Sequence, residues 1–214
     1  MYKVTIIANG DFPRHSIPLL CIQEANHIVC CDGALVKLLN ASITIHDGQR
    51  IDIVGDGDSL RQAGFDTSHY HFHQITEQDD NDLTKAFNWT LKQHSSPLQI
   101  TIVGATGLRE DHTIANVALL MDYYDLLENQ KLQATIIMMT DHGQFIPHSG
   151  KTVIASYKGQ QVSIFAHDAR NLRSRGLKWP IYDFKKYWQG TLNEALSDHF
   201  GIQAEGNYLV FLNY

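Results

Sequence analysis

Three short stretches of this chain combine residue types that can hold a metal ion and polyphosphate. Gly55-Asp56-Gly57-Asp58-Ser59 follows directly on the apolar run 51–54. Two carboxylates one residue apart in a turn can face one side and flank Mg²⁺, which prefers a few carboxylates with phosphate oxygens and water to a closed protein cage. The glycines let backbone approach a ligand, although an ordinary Gly/Asp turn has the same composition. Glu77-Gln78-Asp79-Asp80-Asn81-Asp82-Leu83-Thr84-Lys85 opens a helical pattern, with Asp80 or Asn81 as N-cap. Four acidic groups in six residues exceed what a cap requires, and Asp82 and Lys85 share one face at i, i+3. That spacing sets a metal-binding carboxylate beside an ammonium for phosphate. Gly104 to His112 is a glycine-rich loop after an apolar run, able to present N–H groups to phosphate, with Arg109 as a forked cation. Its glycine spacing is neither a Walker A nor a dinucleotide fingerprint. Asp111 is equally a cap for the helix expected from Thr113, and a contact of His112 with a nucleotide stays open. Together the stretches point to magnesium and a nucleoside triphosphate, with Asp56, Asp58 and Asp82 at the centre.

These residues need a scaffold that gathers them, and the hydrophobic pattern supplies one. Apolar runs at 4–8, 28–31, 51–54, 100–103 and 134–139 alternate with helical patterns at 34–39, 82–91 and 113–127. Continuous apolar strands separated by helices imply a parallel sheet covered on both faces. Ligands bind such sheets beyond the carboxyl ends of the strands, where the turns Asn9-Gly10, Asp32-Gly33 and 55–58 fall. After about Thr140 the pattern changes to short strands at 145–148, 152–155, 161–166 and 208–212, punctuated by glycines, with a short helix possible at 193–200. The expected fold is α/β: a mostly parallel N-terminal sheet with helices on both faces over residues 1–142, and a smaller C-terminal antiparallel, β-sandwich-like domain over residues 143–214.

Composition narrows the setting. The 214 residues carry a net charge of −6, which disfavours a nucleic-acid surface and favours a divalent cation wherever polyphosphate binds. No apolar run approaches a membrane span, and the apolar start at 4–8 is too short for a signal peptide. Cys21, Cys30 and Cys31 have no metal-ligand spacing and suit a reducing compartment, so a cytoplasmic address is expected. His69, His71 and His73 alternate and read as a solvated strand face in preference to a zinc site. Trp89 reads as packing. The basic run Arg170, Arg173, Arg175 and Lys178 reads as a solvated edge in preference to a phosphate-facing rim.

The combination resembles the thiamine pyrophosphokinase family along nearly the whole chain. The resemblance rests on Asp32-Gly33-Ala34, the 55–59 stretch, Gln78 with Asn81-Asp82-Leu83-Thr84-Lys85, Gly107 through Asn116, and Gly176-Leu177-Lys178-Trp179-Pro180. It implies transfer of a diphosphate from ATP to the hydroxyethyl group of thiamine, giving thiamine diphosphate and AMP. It further implies Mg²⁺ held by Asp56, Asp58 and Asp82, with Lys85 and Arg109 stabilising phosphate charge and Asp111 orienting nearby groups. Asn9, Gly10, Asp32, Gly33, Asn81 and His112 would complete the ATP side. Gln78, Leu177 and Asn193 would serve thiamine, with the Trp179 ring offered to its pyrimidine. Family members are homodimers with sites between subunits, which would assign Trp179 to the partner's site. The chain departs from the family at Leu192, where a serine commonly precedes the asparagine, and at Leu108, where a second glycine commonly precedes the arginine. A kinase or nucleotidyltransferase acting on another alcohol, and a non-catalytic thiamine or nucleotide sensor, are the competing readings.

Overall fold

The computed structural model describes residues 1–95 and 97–214 and divides into two compact units, Met1–Asp141 and His142–Tyr214. The first unit runs β1 (Tyr2–Ile7), α1 (Ser16–Gln23), β2 (His27–Cys31), α2 (Ala34–Asn40), β3 (Arg50–Gly55), α3 (Asp58–Gln62), β4 (His71–Gln74), α4 (Asp82–Gln93), β5 (Leu98–Val103), α5 (Glu110–Asn129) and β6 (Ala134–Met139). Its strands lie in the order β6-β5-β1-β2-β3-β4 and pair in parallel. The central strands are buried on both pleats, as their unbroken apolar runs require. Ile7, Ile28, Cys30, Ile53 and Val103 cluster with Ile22 of α1, Leu35 and Leu38 of α2 and Leu60 of α3. On the opposite pleat Ile6, Val29 and Val54 are equally buried, and α4 contacts β1, β2 and β3. The Phe87 ring of α4 stacks on Tyr123 of α5 at 4.2 Å.

The connection after β1 leads to β2 on one side, whereas β5 lies on the other side of β1 and leads to β6. The carboxyl ends of β1 and β5 therefore border the topological switch point, where open parallel sheets form a crevice.

The mostly parallel sheet is as expected, with two added helices. α1 carries Pro18 near its start, which reads as a breaker but is tolerated in a first turn, where its missing N–H has no intrahelical partner. α3 has one buried apolar residue, Leu60, and so no periodicity to detect. β4 forms a sixth strand on the edge, within the stretch where the alternating histidines indicate one, and its His73 departs from the solvated reading. His73 Nε2 lies 2.6 Å from Asp52 Oδ1. Buried Asp52 also meets His27 Nε2 at 2.7 Å and Arg50 Nε at 2.5 Å, and His27 Nδ1 meets His94 Nε2 at 3.0 Å. His71 is exposed, and exposed His69 lies in a turn before the strand. α5 begins at Glu110, three residues earlier than its apolar pattern indicates, which puts Asp111 in the first turn instead of at the cap.

The second unit is antiparallel. It comprises β7 (Gly143–Ala155), β8 (Gln161–Ala166), β9 (Arg170–Arg175), a 3₁₀ turn (Tyr187–Gly190), β10 (Asn193–Glu194) and β11 (His199–Asn213). β11 pairs with β7 along its length, while its other edge takes β9 first and then β8. Its register shifts between Gln203 and Asn207, at Gly206 (φ 91°), and Gly150 of β7 (φ 64°) faces that irregularity. The two glycines thus form a bulge inside a long antiparallel pair, so residues expected as two short strands make one. The helix considered at 193–200 does not form; β10, a bend and the start of β11 occupy those residues. Val162, Ile164, Leu172, Phe200, Ile202, Tyr208 and Val210 form the core of this unit.

Candidate active site

The carboxyl ends of β2 and β3 and the start of α4 bring three aspartates together. Asp32, Asp56 and Asp82 each offer one carboxylate oxygen, and these oxygens lie within 4.8 Å of one another. Asp32 follows β2, is buried, and has a left-handed backbone (φ 34°). Its Oδ2 accepts a hydrogen bond from Ser59 N at 2.7 Å, while its Oδ1 is buried with no hydrogen-bond partner. Gly55 makes room for it, because a Cβ there would stand 2.9 Å from the Asp32 Cβ. Asp56 Oδ1 accepts from Asp58 N at 3.1 Å, and that backbone bond, helped by Gln78 and Lys85, holds its carboxyl below the usual range. Asp82 is pushed the other way by burial and by the charges of Asp56 and Asp32, with Lys85 opposing. Asn81 caps α4 by accepting from Thr84 N at 2.8 Å, which fixes Asp82 in the first turn. Lys85 lies one turn on, its side chain buried and its Nζ 3.6 Å from Asp82 Oδ1.

Three convergent carboxylates with one ammonium leave a surplus of negative charge, and Asp32 Oδ1 is an unpartnered acceptor among them. An all-oxygen set of this kind fits a hard divalent cation. The residues present therefore fit the implied metal.

A cavity of about 430 Å³ opens over this group. From the sequence-expected residues it gathers Asn9, Gly10, Asp56, Gln78, Asn81, Asp82, Lys85, Arg109 and His112. Asp58 stands apart from the aspartate group, its exposed carboxylate paired with Arg61 of α3. Asp111 is likewise outside the lining; it forks onto Arg109 at 2.6 and 3.1 Å, which lowers its pKa to about 2. Gly33 sits behind Asn9, where an added Cβ would approach its Nδ2 to 3.0 Å.

The cavity walls are held by a set of hydrogen bonds, one of them from a residue that no motif singles out. Lys37 Nζ donates to Asn9 O (2.7 Å) and Gly10 O (2.6 Å), fastening the loop after β1. Gly10 N donates to Gly104 O at 2.7 Å and Asp11 N to Thr106 O at 2.9 Å, so the loops after β1 and β5 are tied together. Asn116 Nδ2 donates to Ala105 O at 2.7 Å, and Thr113 Oγ1 accepts from Gly107 N at 3.1 Å, holding the glycine-rich loop to α5. Asn116 was visible as part of a motif; Lys37 lies on a short helix and carries no sequence signal.

In the second unit, Asn193 brackets the Trp179 backbone: its Oδ1 accepts from Trp179 N (3.2 Å) and its Nδ2 donates to Trp179 O (2.8 Å). The indole is half exposed, with Lys178 Nζ 4.8 Å from its ring centre. Leu177 is buried and bridges to Ala195. Leu192 is exposed with a left-handed backbone (φ 64°).

Comparison with known proteins gives a consistent picture. Residues 19–136 match the family model described as thiamin pyrophosphokinase, catalytic domain, and residues 143–211 match thiamin pyrophosphokinase, substrate-binding domain. Thiamine pyrophosphokinase of Bacillus subtilis (strain 168) is 28% identical over 190 residues, covering 85% of this chain and 82% of the relative. Thiamine pyrophosphokinase 2 of Arabidopsis thaliana is 26% identical over 215 residues, covering 89% and 77%. Among solved structures, yeast thiamin pyrophosphokinase superposes with a TM-score of 0.79 at 16% identity, covering 99% of this chain and 86% of that one. A thiamin pyrophosphokinase family protein from Enterococcus faecalis gives 0.75 at 21% identity, covering 99% of both chains, so these two share the fold. With both halves of the chain matched in order, this protein belongs to the thiamin pyrophosphokinase family.

Proposed function

We propose that the protein transfers a diphosphate from ATP to thiamine, releasing AMP, with Mg²⁺ held by Asp32, Asp56 and Asp82. The observation that carries this reading is the convergence of three carboxylates, one with a buried unpartnered oxygen, beside buried Lys85 in a cavity at the sheet's carboxyl edge. When bound, the cation supplies charge neutralisation for phosphate oxygens. In phosphoryl-type transfer the protein mainly positions groups and stabilises charge. Lys85 is poised as a fixed ammonium for phosphate, and Arg109, held in a fork by Asp111, presents its guanidinium at the cavity edge. The glycine-rich loop, pinned by Asn116 and Thr113, offers backbone donors, and the Asn9-Gly10 turn, fastened by Lys37 and bonded to Gly104, completes the same wall.

Trp179 supplies an aromatic face for the thiamine ring, with Asn193 fixing the backbone that carries it. Trp179, Tyr187, Trp188 and Leu192 of the second unit are all exposed, and large apolar side chains left in water favour a homodimer that would cover them. Three free cysteines support a cytoplasmic address. Among the described residues, no helix is long and apolar enough to cross a membrane.

Product analysis with Mg²⁺, ATP and thiamine tests the reading. Equal amounts of thiamine diphosphate and AMP are expected, abolished by EDTA and restored by added Mg²⁺. Release of ADP or free diphosphate would replace the reaction with another transfer, and ligand binding without turnover would make the protein a sensor.

A further inference from the structure

The basic run read from sequence as a solvated edge has a specific place in the second unit. In the registers of β7, β11 and β9, Gln203 lies between Lys151 and Arg173, and Gly201 lies between Val153 and Arg175. The alternate residues Ile154, Phe200, Ile202 and Leu172 are buried in the core, so these six line the outward face. Gly201 contributes no side chain, and a Cβ there would meet only Thr152 O at 3.8 Å. The result is a trough of about 600 Å³, larger than the 430 Å³ cavity over the aspartates and sharing no residue with it.

The charge of this trough is one-sided. Lys151, Arg173, Arg175 and His199 line it, and no aspartate or glutamate does, in a protein of net charge −6. Lys151, Arg173 and Arg175 have no carboxylate within 4.0 Å among the described residues, whereas His199 is engaged by Asp198 at 2.6 Å. Glu205 is the next outward residue of β11 and stands opposite Arg170, one row beyond the trough. Neighbouring strands are about 4.8 Å apart, so Lys151 and Arg173 stand about 10 Å apart across the trough. That spacing brackets a short chain of phosphates and is too small for a track along nucleic acid, where many phosphates are neutralised at once. Guanidinium forks match phosphate oxygens in pairs, with the ammonium as a point charge. A second copy of the same face would bring like charges together.

We propose that this outward face of β7, β11 and β9 is a second anion site, binding a di- or triphosphate group without a metal ion. Metal independence follows from the absence of carboxylates in its lining and separates it from the aspartate cavity, whose surplus negative charge repels polyphosphate until a cation is present. The site does not depend on the reaction assigned to that cavity. Exposed Val153 on the trough floor would favour a phosphate group attached to an organic ring over an inorganic chain.

Calorimetry on the intact protein in EDTA, with inorganic triphosphate and with ATP as probes, tests this. Both wild-type titrations should show binding that weakens as salt rises, and the tighter probe identifies the source of the phosphate group. Arg173→Gln/Arg175→Gln should weaken binding about tenfold or more, since a hydrogen bond to a charged group contributes about 1.5–3 kcal/mol. Lys151→Gln, which leaves both arginines in place, should weaken it less, and turnover with Mg²⁺, ATP and thiamine should persist in both variants. Absence of binding in EDTA would overturn the proposal. So would unchanged affinity in the arginine variant, or loss in Lys85→Met instead. A change of oligomeric state in the arginine variant with anion affinity intact would make the face an interface between copies and likewise reject the site.

Discussion

At the residue scale the instructive pair is Asp32 and Asp58. Their spacing to Asp56 along the chain favours Asp58, but Asp58 opens α3 after Gly57 (φ 83°) and turns onto Arg61. Asp32, 24 residues before Asp56, reaches the cluster because β2 and β3 are neighbours that end together. Asp32→Asn keeps an oxygen for Ser59 N while removing a full negative charge, so its effect should fall on the metal and not on the fold. Turnover should drop by more than about 100-fold, since even partners of metal ligands cost about 10- to 100-fold when replaced, while circular dichroism stays unchanged. Asp58→Asn should cost less than tenfold by the same measure. An equal loss at both positions would return Asp58 to the metal set.

At the element scale, the loops after β1 and β5 meet at the switch point and act as one wall. Gly10 is the contact, since a Cβ there would lie 2.4 Å from Gly104 O and 2.7 Å from Thr106 O. Both obstacles are backbone, which cannot rotate away as a side-chain tip can. Gly10→Ala should destabilise by at least about 1–3 kcal/mol, the range for overpacking, and weaken ATP binding because the glycine-rich loop must shift. Chemical denaturation and nucleotide titration check both effects. A variant as stable as the parent would show that the loops part freely. α4 is legible from its periodic apolar face, with Leu83, Ala86 and Phe87 buried, whereas α5 is legible by its length and buries Leu120, Met121, Tyr123 and Leu127 while Ile114 stays exposed. α1 and α3 are not legible, because a proline and a single apolar residue carry no period.

For the whole molecule, buried histidines tie stability to pH. Burial lowers the pKa of His27 from 6.5 to about 4, against the opposing pull of Asp52, and burial likewise lowers His148 to about 4. Arg50 and His94 also face His27 and add to the depression. Between these values the unfolded chain binds more protons than the folded one, so stability is full above about pH 6.5 and is lost as pH falls toward 4. Burial alone would raise the Asp52 pKa, but hydrogen bonds with Arg50, His73 and His27 bring it below 3.8, so its contribution disappears only in stronger acid. Melting temperature should therefore fall between pH 7 and pH 5, and His27→Gln should flatten part of that slope. A melting temperature that rises on acidification would contradict neutral, buried histidines.

The sequence alone determined the alternation of strands and helices, the antiparallel character after residue 140, and the placing of polar turns at the carboxyl ends of strands. These follow from local periodicity and from turn residues, which need no distant partner. It also placed Asp56, Asp82 and Lys85 near one another, since a strand end and a helix start each act over a few residues. Tertiary structure alone decided that Asp32 joins them, that Lys37 fastens the Asn9-Gly10 turn, and that His73 folds onto Asp52. It alone also decided that Lys151, Arg173 and Arg175 share a face. Each of these depends on which strands become neighbours and in what register, and that is settled by burial of the whole core, far beyond the range of any motif.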